Sequence, residues 1–263
     1  MEMMSQIRSH NQALHTLMNA IGVATLPVQP PSRSKRAARR ETNRLWPNGV
    51  MPIRIAGSGF TSSHRRHIQQ AMNRISEATC VCFRTIGNKE VNRGIRHVRI
   101  VNGNGCGSFV GVSSRSRGRE RSQDLKLKAG CRTFRVATHE LLHTLGLYHE
   151  QSRPDRDKYV RVNFKNVRSE NTHNFNRFSD LTIDSRGVPY DYESIMHYSN
   201  RAFGKGKSIT LEPIPKENRQ KYLNTIGKAT EMSKGDIEIL RKMYKCPSEP
   251  STTPSCADYP YRF

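Results

Sequence analysis

Apolar positions recur at helical spacing in three places along the chain. Between Thr61 and about Ala78 they are Ile68, Ala71, Met72 and Ile75, behind polar caps at Thr61 and Ser62. From about Arg132 to Leu145 the spacing predicts a second helix, buried on the side of Val136, Leu141, Leu142 and Leu145. A third begins at "SKGD", where Ser233 and Asp236 have the spacing of a capping box and Ile237, Leu240 and Tyr244 supply the apolar stripe. Extended structure has its own marks. "WPNGVMPIRI" combines turn chemistry at Pro47-Asn48-Gly49 with an extended run, and "IRHVRIV" alternates as a strand does. A Gly-rich loop carrying Cys106 follows. The chain between Leu145 and Ser233 has no sustained period and reads as long irregular stretches. Residues 1–36 are polar and aperiodic, and close on "PVQPPSRSKR", an exposed linker with a basic processing site at Arg33 to Arg36. The tail from 247 to 263 is linker-like at first, and no internal repeat is present.

A length of 263 residues leaves room for one large domain or two small ones, with a buried core. No run approaches the roughly 20 apolar residues that span a bilayer. The net charge of +22 favours acidic partners, such as a polyanionic matrix or acidic proteins, through salt-dependent association. Nucleic acid is not indicated, because the basic residues are scattered and form no known nucleic-acid module. Six cysteines at wide spacings lack the paired C-x-x-C of a zinc knuckle and fit disulfides in an oxidising compartment. The N-terminal "ALHTLMNAIGVATL" is only moderately apolar and makes a poor signal-peptide core. Export then uses a weak signal, or the natural start lies upstream.

The chemistry concentrates in "HELLHTLGLYHE", residues 139–150. His139 and His143 are one helical turn apart, about 40° from eclipsed, so both imidazoles can reach one ion. On a continued helix His149 would lie roughly 9 Å further along and about 120° around the axis. The helix must stop and the chain must turn back, and Gly146 sits where that happens. Three neutral nitrogen ligands leave a position for water, the arrangement of catalytic zinc. Glu140 follows a ligand directly and is the candidate general base.

With its full H-E-x-x-H-x-x-G-x-x-H, the sequence resembles the metzincin zinc endopeptidases and, within them, the astacin family. Glu150 directly after the third histidine, "SRPDRDKYVRVNFKNV", and "SIMHY" at Ser194–Tyr198 carry the narrower resemblance. "WPNGVMPIRI" and "KGDIEILRKMYKC" match the family's domain start and end. The likeness covers roughly Ala37 to Cys246, so a protease domain is expected over 37–246. It implies an α+β fold of two subdomains about a cleft, with a twisted mixed sheet and the active-site helix above. The lower subdomain would be irregular, with a C-terminal helix. It implies one Zn2+ per chain on His139, His143 and His149, Glu140 as base, and Tyr198 as a displaceable ligand that hydrogen-bonds the oxyanion. Met196 would floor the site without ligating. His197 reads as packing or surface.

The family pattern pairs Cys80 with Cys246 and Cys106 with Cys131. Cys82 and Cys256 are left to bond each other, or Cys256 opens a further cysteine-rich module. Glu150 would sense maturation by engaging a new N-terminus at Ala37, made by a basic-site protease cutting after Arg36. Residues 1–36 contain no aspartate, so the family's aspartate-capped latency cannot operate as written. A start lying upstream accounts for both this and the weak signal. Arg177, with Arg201 as another candidate, falls where a basic residue would line the pocket for an acidic residue after the cut. The expected protein is a secreted monomer acting on protein substrates, acidic or matrix-associated, without nucleic-acid or membrane partners. The alternative is a catalytically silent cationic matrix-binding homologue. Retention of Glu140 and all three histidines argues against it.

Overall fold

The computed structural model describes residues 37–114, 121–248 and Cys256. The basic site at Arg33–Arg36, the rest of segment 1–36 and the tail beyond 248 apart from Cys256 lie outside the described residues. The described chain opens with β1 (Ala38–Arg39), a two-residue strand with Ala38 buried. A turn at Pro47–Gly49 leads into β2 (Val50–Ala56), as the Pro-Asn-Gly sequence predicts. α1 (Ser62–Ala78) is capped at Thr61, whose hydroxyl accepts from the His64 amide at 3.3 Å while the Thr61 amide donates to His64 Nδ1. Its predicted stripe, Ile68, Ala71, Met72 and Ile75, is fully buried. Each of the larger side chains contributes about 1.5–3 kcal/mol by leaving water.

β3 (Cys82–Thr85), the short α2 (Asn88–Asn92), β4 (His97–Val101), β5 (Cys106–Gly107) and β6 (Ser122–Leu127) complete one mixed sheet. Its order is β3-β2-β4-β6-β5, parallel except for the edge strand β5. Alternation fixes its faces. Met51, Ile53, Val98, Ile100, Leu125 and Leu127 point into the core, while Arg54, Arg99, Asp124 and Lys126 take the opposite face. The loop predicted around Cys106 thus contains a strand too short for periodicity to register. α3 (Phe134–Thr144) packs on α1 and on the sheet. Ala137, Leu141, Leu142 and Leu145 are buried, and Val136, assigned to that face from spacing, is half-buried.

Beyond α3 the chain builds a second apolar cluster from Val160, Val167, Phe175, Tyr190, Tyr192, Leu211 and Ile226. The stretches without period hold short 3₁₀ helices, β7 (Val160–Val162), β8 (Ile183–Asp184) and β9 (Leu211–Pro213). β8 pairs with β1, and β7 with β9. α4 (Lys216–Tyr222) has no buried residue and so left no apolar stripe to detect. α5 (Lys234–Met243) starts at the predicted capping box, Ser233 with Asp236. Its buried face is Asp236, Ile239, Leu240 and Met243, not Ile237 and Tyr244. Ile237 is half-buried, and Tyr244 lies one residue past the helix, donating its hydroxyl to the Leu145 carbonyl at 2.9 Å.

β1 ties the segment leaving α3 to the later chain at β8. Tyr148 N donates to Ala37 O at 2.7 Å and Arg39 N to Gly146 O at 2.9 Å, while Arg40 N reaches Thr182 O at 3.0 Å on the far side. Three disulfides close the chain: Cys80–Cys246 and Cys106–Cys131 as the family pattern implies, and Cys82–Cys256 by the first of the two alternatives.

Candidate metal centre

α3 begins at Thr133, whose hydroxyl accepts from Val136 N at 3.3 Å, and carries His139 and His143 on its last two turns. The helix ends at Leu145, and Gly146 takes φ +112°, a left-handed conformation that side chains resist. A side chain there would also strike Met243 and Leu45. Leu147 then bridges to Ala38 in extended form, and His149 follows with φ −63° and ψ 140°. The turn-back required by the spacing is therefore present, and β1 is what the returning segment leans on.

The three imidazoles converge. His149 Nε2 lies 3.3 Å from His139 Nε2 and 3.2 Å from His143 Nε2. His139 Nδ1 donates to the Ile195 carbonyl at 2.9 Å and His143 Nδ1 to the Leu147 carbonyl at 2.6 Å. Those bonds fix the protons on Nδ1 and turn the Nε2 lone pairs toward the common centre. Burial holds His139 down to about 4, His143 down to about 3 and His149 well below its ordinary value, so all three are neutral at pH 7. Lone pairs facing one another repel unless a cation sits between them. Zn–N bonds of about 2.05 Å in a tetrahedral site set ligand nitrogens about 3.3 Å apart, which the triad matches. The histidines thus form a set that could hold a metal ion.

Glu140 is buried beside them, its Oε2 lacking any protein hydrogen-bond partner. Burial pushes its carboxyl up to about 7. Tyr198 lies across the centre, its ring 4.5 Å from that of His149, with its hydroxyl pushed up to about 12 by burial and by the Glu140 charge. Met196 is buried in the main apolar cluster. Its turn is held from α5: Ser194 Oγ donates to Asp236 Oδ1 at 2.6 Å and Ile195 N to Asp236 Oδ2 at 3.0 Å. Because the Ile195 carbonyl also receives His139 Nδ1, the start of α5 orients a ring of the triad through one residue. The sequence marks Asp236 only as a capping residue; both its carboxylate oxygens also hold this turn. Gln151, which accepts from Tyr198 N at 3.0 Å, is likewise without a sequence signal.

Glu150 is buried below the triad, accepting from Arg153 at 3.0 Å and from Asp191 N at 2.9 Å, while its own amide donates to Met196 O. Arg153 is fully buried and also grips Asp155 through Nε and Nη2. His197 is packing: its Nδ1 donates to the Tyr198 carbonyl and its Nε2 accepts from Tyr190 at 2.7 Å. Arg177 stands half-exposed and ion-paired with Asp157 at 2.8 Å. Arg201 lines a cavity to which none of the three histidines contributes.

The comparisons with known proteins agree with this geometry. The family model for Astacin, a peptidase family, matches residues 38–245. Tolloid-like protein 1 of Mus musculus is 36% identical over 217 residues, 82% of this chain and 20% of the relative. Low choriolytic enzyme of Oryzias latipes is 35% identical over 207 residues, 76% of this chain and 69% of the relative. Among solved structures, High choriolytic enzyme 1, a hatching enzyme zinc-protease from Oryzias latipes, superposes with a TM-score of 0.66 at 32% identity, covering 79% of this chain and 97% of that one. This chain spans about a fifth of the length of the tolloid-like relative.

Proposed function

The chain belongs to the astacin family, and from that membership we propose that it is a secreted, zinc-dependent endopeptidase of extracellular proteins. The observation that carries the reading is the facing of three unprotonated Nε2 atoms beside a buried carboxylate oxygen without a protein partner. His139, His143 and His149 would hold one Zn2+. When bound, zinc supplies Lewis acidity, lowering the pKa of a water and polarising the scissile carbonyl. Glu140 takes the proton from the attacking water and returns it to the leaving amine, so no proton is lost or gained overall. Tyr198 keeps its proton at neutral pH and donates it in a hydrogen bond to the developing oxyanion. β5, at the edge of the sheet, offers its backbone to an extended peptide as a further strand. Ser108, just past it, is fastened to the Glu140 carbonyl at 2.9 Å, which couples that edge to the base.

Maturation by a basic-site protease cutting after Arg36 would free Ala37 as the new N-terminus. Ala37 and Ala38 are buried, which supports a terminus drawn inward toward the region of Glu150. Arg177 is the proposed cation for acidic residues after the cut, with Asp157 moderating its charge. The protein acts as a monomer on acidic or matrix-associated substrates. Glu140→Gln tests the core of the proposal. Hydrolysis of a casein-type substrate should fall about 10²–10⁴-fold, while zinc content, measured by atomic absorption, stays at one ion per chain. Unchanged hydrolysis would refute the role of Glu140, and a zinc-free purified wild-type chain would refute the metal assignment.

A further inference from the structure

The chain beyond Tyr198 carries a second constructed surface. Segments 163–168 and 201–207 lie side by side: Arg168 N donates to Phe203 O at 3.0 Å, Lys205 N to Asn166 O at 2.9 Å, and Val167 bridges Gly204. Gly204 has no room for a side chain, since a Cβ would come within 2.8 Å of the Ser208 carbonyl. The close pairing brings Lys165, Arg168, Arg201, Lys205 and Lys207 onto one surface, all exposed. Two of them, Arg201 and Lys207, line a cavity of about 410 Å³ whose wall is completed by Asn163, Asn166, Ile209, Leu211 and Glu212.

The cations there are poorly compensated. Glu212 is already held by Arg219 at 2.9 Å and Arg161 at 3.4 Å, and Glu170 meets Arg168 only at 4.0 Å. Crowded like charges lower the stability of a folded chain, and a bound polyanion relieves them. The wall chemistry narrows the choice of polyanion. Carboxamides and a carboxylate suit sugar hydroxyls, and lysine and arginine at the rim suit sulfates. The wall has no aromatic ring on which a base could stack, as single-stranded nucleic-acid sites have. Three disulfides fit an oxidising, extracellular setting.

We propose that this cavity and its rim bind a linear sulfated polysaccharide. The site does not depend on the peptidase reading, because the histidines take no part in it. The test uses the full chain and heparin as the probe, with affinity measured over a salt series. Lys165→Glu combined with Lys207→Glu should reduce the slope of log affinity against log salt by about two, on the counterion-release rule of about one per contact. The same charge change at Lys89 and Lys128, exposed on the other half of the molecule, should leave the slope in place. Equal losses in the two variants would overturn the proposal and assign heparin binding to net charge alone. Desulfated heparin on the unaltered protein gives a reading free of any folding defect in the variants. Loss of binding is expected, and retained binding overturns the proposal. Polyglutamate displacing heparin at equal charge concentration would also overturn it, in favour of an acidic polypeptide.

Discussion

The two halves of the molecule are held by different forces. Before His149 the chain supplies most of the main apolar cluster, which Met196, Leu240 and a few other later residues complete, and its backbone bonds itself in regular ladders. After it the largest fully buried side chain among the described residues is an arginine, and apart from α4 and α5 the helices are short 3₁₀ pieces. Arg153 joins Glu150 to Asp155, Arg156 caps the carbonyls of Gln151 and Phe175, and Asp236 holds the turn at Ser194. The first half buries apolar area, a force without direction. The second has little regular structure, and its buried charges fix particular chain paths at the cost of desolvating each ion. The proposed site takes His139, Glu140 and His143 from the first kind of order and His149 and Tyr198 from the second.

The difference can be tested by volume-preserving substitutions. Arg153→Met keeps bulk but leaves buried Glu150 and half-buried Asp155 without their cation, so a loss of about 3–5 kcal/mol is expected in urea unfolding. A near-neutral result would mean that packing, not charge, orders the second half. Acid should separate the halves next. Burial holds His197 down to about 4 against an ordinary 6.5. Its folded pKa lies below its unfolded one, so the stability it contributes is complete above about pH 6.5 and is lost as pH falls towards about 4, by about 3 kcal/mol at most. Hydrogen exchange of chelator-treated protein at pH 5 should therefore rise around 190–200 before it rises in the sheet. Simultaneous loosening would contradict the distinction. In the first half Leu142→Met should cost less than about 1.5 kcal/mol, measured in the same urea series, because nothing polar is stranded. The smallest effect belongs to Arg177→Ala. Half-exposed and paired with Asp157, it should change stability by less than about 1 kcal/mol. A peptide-library profile should show only reduced Asp and Glu preference after the cut. An unchanged profile would remove Arg177 from specificity.

The same contrast explains what the sequence disclosed. α1 and α3 were legible because a buried face repeats every turn, and the triad because helix geometry alone forces a turn at Gly146. The alternating strands β2 and β4 were legible for a related reason. β7, β8, β9 and α4 were not, being too short or too exposed to leave a period. Arg153, Gln151 and the second role of Asp236 were also hidden. A buried polar or charged group is specified by its partners, and those lie 2 to 47 residues away in this chain. In α5 the capping box located the start correctly, but the stripe was misjudged by one register because Asp236, a charged residue, occupies a buried position. Two of the three bonds between cysteines followed from resemblance, not from spacing, and the third, Cys82–Cys256, was one of two open alternatives.

One small element has a mechanical consequence. β1 is stitched to Gly146 and Tyr148 on one edge and to Thr182 and β8 on the other. The halves therefore cannot hinge apart without first pulling residues 37–40 out of the seam. The seam therefore acts as a latch: any opening between the two segments it joins must wait for residues 37–40 to give up both sets of bonds at once.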